Sequence, residues 1–337
     1  MSSIPLSIRL VRPRDLPGVP GVSSVLLLNQ PEASLAAYRP LASAVQSILP
    51  GNNRPRIIVA QGDDRILAFA HFVPEPPDGR WHLVALGAST GVYDVTPLWS
   101  QLIERSVVAA GLRGVKRLYA RAPEESSAQD ALAASGFQAY ANESIFVAES
   151  PGISGSKLAL RAQTPSDTWA IHQLYNAVVP RQVQYAEAFT SHRWDADAFR
   201  AAPSGATTSG WLIEEAFQVV AYARVLSNGV DHVLEIIVHP EWSGAAGELI
   251  DAVLQRTSSG RGARRVSCAV RGYQTELIPT LQERGFHKRG DLTLTVKYTT
   301  ARSTAPAVET VGQPEAVLER LPKPKRATSF LFWQGEE

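Results

Sequence analysis

The chain is nearly free of sulfur. Among 337 residues there is one cysteine, Cys268, and one methionine. A single thiol excludes an intramolecular disulfide and any zinc site built on cysteines. The seven histidines are scattered, with no pair at helical spacing that would hold a metal. An excess of one charge is missing too. Lys and Arg number 33 against 32 Asp and Glu, a formal net charge of +1. That balance offers no field to draw nucleic acid or an anionic membrane. Long apolar runs are absent. The longest early one, around Val25–Leu28, is far too short to span a bilayer. The expectation is a soluble, cytoplasmic protein without metal, nucleic-acid or membrane partners.

What the chain has is apolar material for real cores. Hydrophobic residues make up 45% and charged residues 19%, outside the range of disordered chains. The length suits two ordinary domains, and the sequence repeats itself. SIRLVRPRDLPGV (Ser7–Val19) is echoed by KLALRAQTPSDTWAI (Lys157–Ile171). RILAFAHFV (Arg65–Val73) is echoed by QVVAYARVL (Gln218–Leu226). WHLVALGAS (Trp81–Ser89) matches DHVLEIIVH (Asp231–His239), and LAASGF (Leu132–Phe137) matches LQERGF (Leu281–Phe286). Asp15 and Asp167, Ile66 and Val219, and Gly136 and Gly285 all stand about 150 residues apart, the scale of one domain. Four landmarks recurring in one order predict two copies of one domain.

Each copy reads as strand, helices, three strands, helix, strand, helix, strand. In the second copy strands are expected near Leu158–Ala162, Trp211–Glu214, Gln218–Ser227, Val233–Val238, Arg265–Val270 and Phe286–Tyr298. Helices are expected near Asp167–Val178, Trp194–Ala201, Ala246–Thr257 and Thr275–Arg284. Short turns between strands imply antiparallel hairpins, and strand–helix–strand segments imply a parallel crossover. The fold class is therefore α/β (α+β), a mixed, mostly antiparallel sheet flanked by helices in each copy. The boundaries are 1–149, a linker at 150–156, 157–300, and a tail at 301–337 whose apolar tip, Phe330–Trp333, packs back on a domain or docks a subunit.

The stretch VHPEWSGAAGELIDAVL (Val238–Leu254) runs from an apolar strand through small residues into an amphipathic helix. Small residues there serve a plain turn. They also let an anion reach the unpaired N–H groups and positive dipole of a helix start. With the order of elements and the glycine–phenylalanine pairs, this stretch resembles the GCN5-related N-acetyltransferase superfamily, in tandem over about residues 5–148 and 157–299. In that family the fourth strand ends in V-x-P-x-[FYW], and the following turn holds the pyrophosphate of acetyl-CoA. The resemblance implies acetyl-CoA or another acyl-CoA as co-substrate and an amine, small molecule or peptide, as acceptor, with homodimerisation left open. It implies a cofactor site at Ile237, Val238, Ser243, Gly244, Ala245, Ala246 and Gly247, with Gln274 as a further donor. The family's basic turn residue is replaced by Ser243. In the first copy the equivalent stretch, Leu86–Ile103, lacks the pattern and carries Asp94, so that copy reads as degenerate. The alternative to an enzyme is a non-catalytic acyl-CoA-binding module or scaffold.

Amine acylation needs a group to take the ammonium proton and one to protonate the leaving thiolate. Glu235 sits inside the apolar strand HVLEIIV. It is the candidate base if burial raises its pKa; the other reading pairs it with an arginine such as Arg224. The first copy has Ala85 at this position. The family's usual acid position holds Leu281 and Leu132; Tyr273 is either a substitute or a surface or packing tyrosine, with the thiolate protonated by solvent. Cys268, mid-strand among apolar neighbours, is expected to be an inert core thiol. Trp169, Tyr175, Tyr185, Phe189 and Trp194 lie in the region that shapes the acceptor pocket in the family; the other reading makes them core residues. Arg181, Gln182, Gln184 and Glu187 either line the site or form a solvated turn.

Overall fold

The structure is a computed structural model and describes residues 6–51, 54–75, 79–149, 151, 155–156, 158, 160–195, 206–257 and 265–299. The expected tail lies outside these residues, as does most of the linker. The first repeat contains β1 (Ser7–Leu10), β2 (Ser24–Leu27), α1 (Pro40–Ile48), β3 (Arg56–Gly62), β4 (Arg65–Glu75), β5 (Arg80–Ala88), α2 (Thr96–Gly111), β6 (Arg117–Pro123), α3 (Ser127–Ala134) and β7 (Gln138–Glu149). The second contains β8 (Arg161–Ala162), α4 (Thr168–Val178), α5 (Arg181–Glu187), β9 (Thr207–Glu215), β10 (Gln218–Ser227), β11 (Asp231–Val238), α6 (Ala246–Thr257), β12 (Arg265–Arg271), α7 (Leu277–Gln282) and β13 (His287–Tyr298). No helix among the described residues is long and apolar enough to cross a membrane.

Local chemistry explains the boundaries. Asp63 and Asp64, both at positive φ (48° and 59°), make the tight turn of the β3–β4 hairpin. In the second repeat the same turn falls on Ala216 and Phe217 (47° and 64°). Gly136 and Gly285, at φ 75° and 79°, close α3 and α7 as the repeat predicts. Helix α5 stands where a turn was the alternative. The helix expected at Trp194–Ala201 is a short 3₁₀ turn, Ser191–Trp194, with residues 196–201 outside the described set.

All strands join one sheet in the order β1-β3-β4-β5-β6-β13-β7-β12-β11-β10-β9-β8, with β2 beside β5. The last strand of each repeat has crossed over. β7 pairs with β12 and β13 pairs with β6, both antiparallel, and β7 and β13 pair with each other at the centre. Glu143 faces Leu292 across that central pair. Their neighbours are equivalent too: Glu143 opposes Arg271 and Leu292 opposes Pro123. An approximate two-fold axis therefore passes between Glu143 and Leu292.

Strand side chains alternate faces, which gives each repeat two cores. On one face Ala68, Ala70 and Phe72 pack under α2 and α3, and Leu234, Ile236 and Val238 pack under α6 and α7. On the other, Ile57, Val59 and Phe69 meet Ala44 of α1. There Tyr222 and Ile237 meet Ile171, Leu174 and Tyr175 of α4, Val183 of α5, and Trp194. This second layer of the second repeat, α4, α5 and the Ser191–Trp194 turn, frames the candidate site.

Candidate active site

Each repeat contains a parallel pair that separates partway along. β11 and β12 pair from Asp231–Leu234 to Arg265–Cys268 and then diverge. β5 and β6 do the same after Leu83 and Ala120. A diverging pair leaves a wedge with unpaired backbone groups on its walls, which need partners.

The two wedges are treated differently. In the first, β2 fills the gap: Leu27, Leu26, Val25 and Ser24 pair antiparallel with Ala85, Leu86, Gly87 and Ala88. The Leu28 N–H donates to Val84 O at 2.8 Å, and Trp99 Nε1 donates to Gly87 O at 3.2 Å. The short apolar run noted in the sequence is thus the chain's own plug. In the second repeat β10 stays paired with β11 to Val238, but on the wedge side no strand among the described residues pairs with β11 beyond Leu234. One side chain bridges the gap. Gln274, buried, donates from Nε2 to Ile236 O at 3.0 Å, and its Oε1 accepts from the Arg271 N–H at 3.3 Å. The His239 N–H turns to Val220 O on β10. By alternation, the backbone groups of Ile236 and Val238 face the wedge and those of Ile237 face β10.

β11 ends at Val238, and the 3₁₀ turn Pro240–Ala245 leads directly into α6. The small residues divide in two. Gly244 is exposed, and a Cβ there would meet nothing within 4 Å. Ala246 is buried, and a Cβ on Gly247 would stand 2.5 Å from Arg284 Nη2. Arg284 is fixed there by Asp251, Nε to Oδ1 at 2.9 Å and Nη2 to Oδ2 at 2.8 Å, and by Thr280 O. Glycine at 247 therefore serves packing of a guanidinium. Ser243, Gly244 and Ala245 form the outward surface beside the wedge mouth. Arg284 also brings a cation to the first turn of α6, where the turn itself has none.

Glu235 projects to the same face as Ile237, toward the Ser191–Trp194 turn. It is hydrogen-bonded to Arg224, with Arg193 Nη2 at 3.9 Å. The expected rise in its pKa is reversed. Burial pushes the pKa up, but Arg224 and then Arg193 outweigh it and hold the carboxyl near 2. The reading that paired Glu235 with Arg224 is the observed arrangement. In the first repeat the equivalent pair is His71 opposite Ala85. His71 is bonded to Tyr38 at 3.0 Å, and burial lowers its pKa to about 4.

Tyr273 packs against the Ile237 core, and burial raises its pKa, so its phenol keeps its proton. Cys268 is fully buried, its pKa pushed up to about 12, an inert thiol as expected. Tyr175 and Trp194 are core residues 5.5 Å apart, whereas Trp169 and Tyr185 are exposed. Of the Arg181–Glu187 group, Glu187 is the one drawn inward. Its carboxylate accepts from the Tyr175 hydroxyl at 2.7 Å and from Arg271 Nη2 at 3.0 Å. Arg271 Nε also meets Glu143 at 3.0 Å, and Arg121 lies 3.7 Å from Glu143. These residues form one network across the two repeats. Its members stand far apart in sequence, and no local pattern marks them. No group of His, Cys, Asp and Glu suited to a metal occurs among the described residues.

No protein-family model matches the sequence, and no curated protein matches it. Solved structures do. A tandem GNAT protein from the clavulanic acid biosynthesis pathway aligns at TM-score 0.50 and 14% identity, over 87% of this chain and 98% of its own. A GCN5-related N-acetyltransferase from Sphaerobacter thermophilus aligns at TM-score 0.50 and 15% identity, over 88% of this chain and 97% of its own. At such identities the likeness speaks of architecture. The chain has the fold of the GCN5-related N-acetyltransferases, written twice along one sheet.

Proposed function

We propose that the second repeat binds an acyl-CoA in its wedge and transfers the acyl group to an amine, as a cytoplasmic N-acyltransferase. The observation that carries this is the asymmetry of the two wedges. The first is occupied by an extended peptide segment, β2, whose amides satisfy β5. The second has equivalent walls, β11 and β12, and no strand among the described residues lies between them. An extended chain bearing amides, as the pantetheine arm of CoA is, would meet the backbone of Ile236 and Val238 as β2 meets Leu86 and Ala88. Its diphosphate would then reach Ser243, Gly244 and Ala245 at the start of α6.

The amine nitrogen attacks the thioester carbonyl, the C–S bond breaks, and the thiolate takes a proton. Tyr273 is a phenol able to supply that proton, and a thiolate also leaves without help. Glu235, anionic across the neutral range, is a weak base. We assign it the attraction and orientation of the acceptor ammonium, whose proton passes to water before attack. The acceptor is a small-molecule or peptide amine.

The test is acetyl-CoA-dependent thiol release across a panel of primary amines. Glu235→Gln is expected to raise the KM for the amine about tenfold, the worth of one charge-assisted contact, and to change the KM for acetyl-CoA little. Unchanged kinetics would remove Glu235 from the site. A second reading, a non-catalytic acyl-CoA-binding module, is favoured by the engagement of Glu235 with Arg224. It predicts acetyl-CoA binding with no thiol release for any amine.

A further inference from the structure

The first repeat, with its wedge plugged, still touches the second at a point that matters. Helix α5 ends at Glu187, and Ala188, in the left-handed region at φ 43°, turns the chain toward Phe189 and the Ser191–Trp194 turn. The last carbonyls of a helix need donors from elsewhere. Here two side chains of the first repeat supply them. The Tyr119 hydroxyl, on β6, lies 2.8 Å from Ala186 O and 3.0 Å from Glu187 O and shares its proton between them. Arg80 Nη1, on β5, donates to Glu187 O at 3.1 Å.

Both donors are braced. Tyr119 stacks on His82 with ring centroids 5.2 Å apart, and His82 bonds to Glu75 at 2.6 Å. Arg80, only 3% exposed, lies 3.5 Å from the same carboxylate. Its guanidinium stands 5.2 Å from the centre of the Phe189 ring, and the Arg193 guanidinium stands 5.1 Å from that centre. Arg193 in turn reaches Glu235. A continuous line of contacts thus runs from β5 of the first repeat, through Phe189 and Arg193, to the candidate acceptor carboxylate.

We propose that Tyr119 and Arg80 of the first repeat are positioning residues for the acceptor side of the second repeat's site. They hold the Ala186–Phe189 corner and, through Phe189 and Arg193, the setting of Glu235. The repeat that has lost its own open wedge acts as the fixed wall of the other's. The proposal rests on acyl transfer in the second repeat, but the bracing itself is measurable without it.

The experiment compares the full-length protein with Tyr119→Phe, which removes one hydroxyl, and with Arg80→Met and Arg80→Lys. Amide hydrogen exchange is followed in Val183–Trp194, with α6 as internal reference. Exchange in that segment is expected to rise about tenfold in Tyr119→Phe and Arg80→Met, roughly the worth of one hydrogen bond, with α6 unchanged and Arg80→Lys in between. For the best amine of the wild-type screen, KM should rise by a similar factor while the affinity for acetyl-CoA in calorimetry stays within about twofold. Unchanged exchange in both Tyr119→Phe and Arg80→Met would overturn the bracing. An equal loss for amine and acetyl-CoA would reduce the two residues to general supports of the fold. If wild-type protein binds no acetyl-CoA, the acyl-transfer reading fails, and the exchange data still decide whether the corner is held.

Discussion

Replacing Glu143 with alanine is expected to destabilise the protein by about 3 kcal/mol, the lower end of the cost of breaking a buried ion pair by removing one partner. Glu143 has a side chain 1% exposed, at the centre of the sheet, 3.0 Å from Arg271 and 3.7 Å from Arg121. Arg271 belongs to the second repeat and Arg121 to the first. Without the carboxylate, both guanidinia keep another carboxylate, Glu187 for Arg271 and Glu32 for Arg121, and Arg121 also donates to Gln30 O. That remaining compensation is why the lower figure is used. The equivalent place in the second repeat is Leu292, so the axis position carries one charge rather than two. Chemical denaturation at neutral pH measures the effect. Glu215→Ala, at an exposed position, should stay within about 0.5 kcal/mol of wild type. If the two variants behave alike, the central network does not join the repeats.

The second large effect separates two glycines three residues apart. In Gly247→Val the new Cβ meets the end of the Arg284 side chain, which must shift from its place beside Asp251. Asp251 is buried at 5% exposure, and a weakened charge-assisted hydrogen bond there costs about 1.5 kcal/mol. Gly244→Val meets open space and has no positive φ to forbid it, so stability should stay within about 0.5 kcal/mol. Its side chain would stand on the outward surface of the turn, where a diphosphate must approach the backbone. Affinity for acetyl-CoA is expected to fall at least tenfold, about 1.4 kcal/mol, in Gly244→Val. Thermal melts and acetyl-CoA titrations of both variants decide this. Loss of binding in Gly247→Val alone, with Gly244→Val like wild type, would move the anion site away from the turn.

The repeat was legible because its landmarks carry their own local signals. Helix-closing glycines at 136 and 285, and the apolar strands around Ile66 and Val219, need no tertiary context to be recognised. Val238–Leu254 likewise folds as read, strand to turn to helix, because proline, small residues and an amphipathic period each specify their own segment. Strand pairing is another matter. β7 and β13 are both long strands able to close either repeat, and their exchange depends on which edge each meets in three dimensions. The Val25–Leu28 run could be judged too short for a membrane, but nothing local said that it would fill a wedge about sixty residues later in the chain. Glu235 shows the same limit at one side chain. Its place in an apolar strand suggested a raised pKa, and the deciding partner, Arg224, is set by the β10–β11 register. The small residues at 243–247 answered in two ways at once: Gly247 makes room for Arg284, and Gly244 leaves an open surface.

The measurement that bears most directly on the account is a calorimetric titration of the full-length protein with acetyl-CoA, fitted for stoichiometry. The wedge asymmetry predicts one site per chain, lost in Gly244→Val. Two sites would mean that β2 yields its wedge to the cofactor. No binding at all would return the open wedge and the small residues before α6 to a purely structural role and contradict the proposed function.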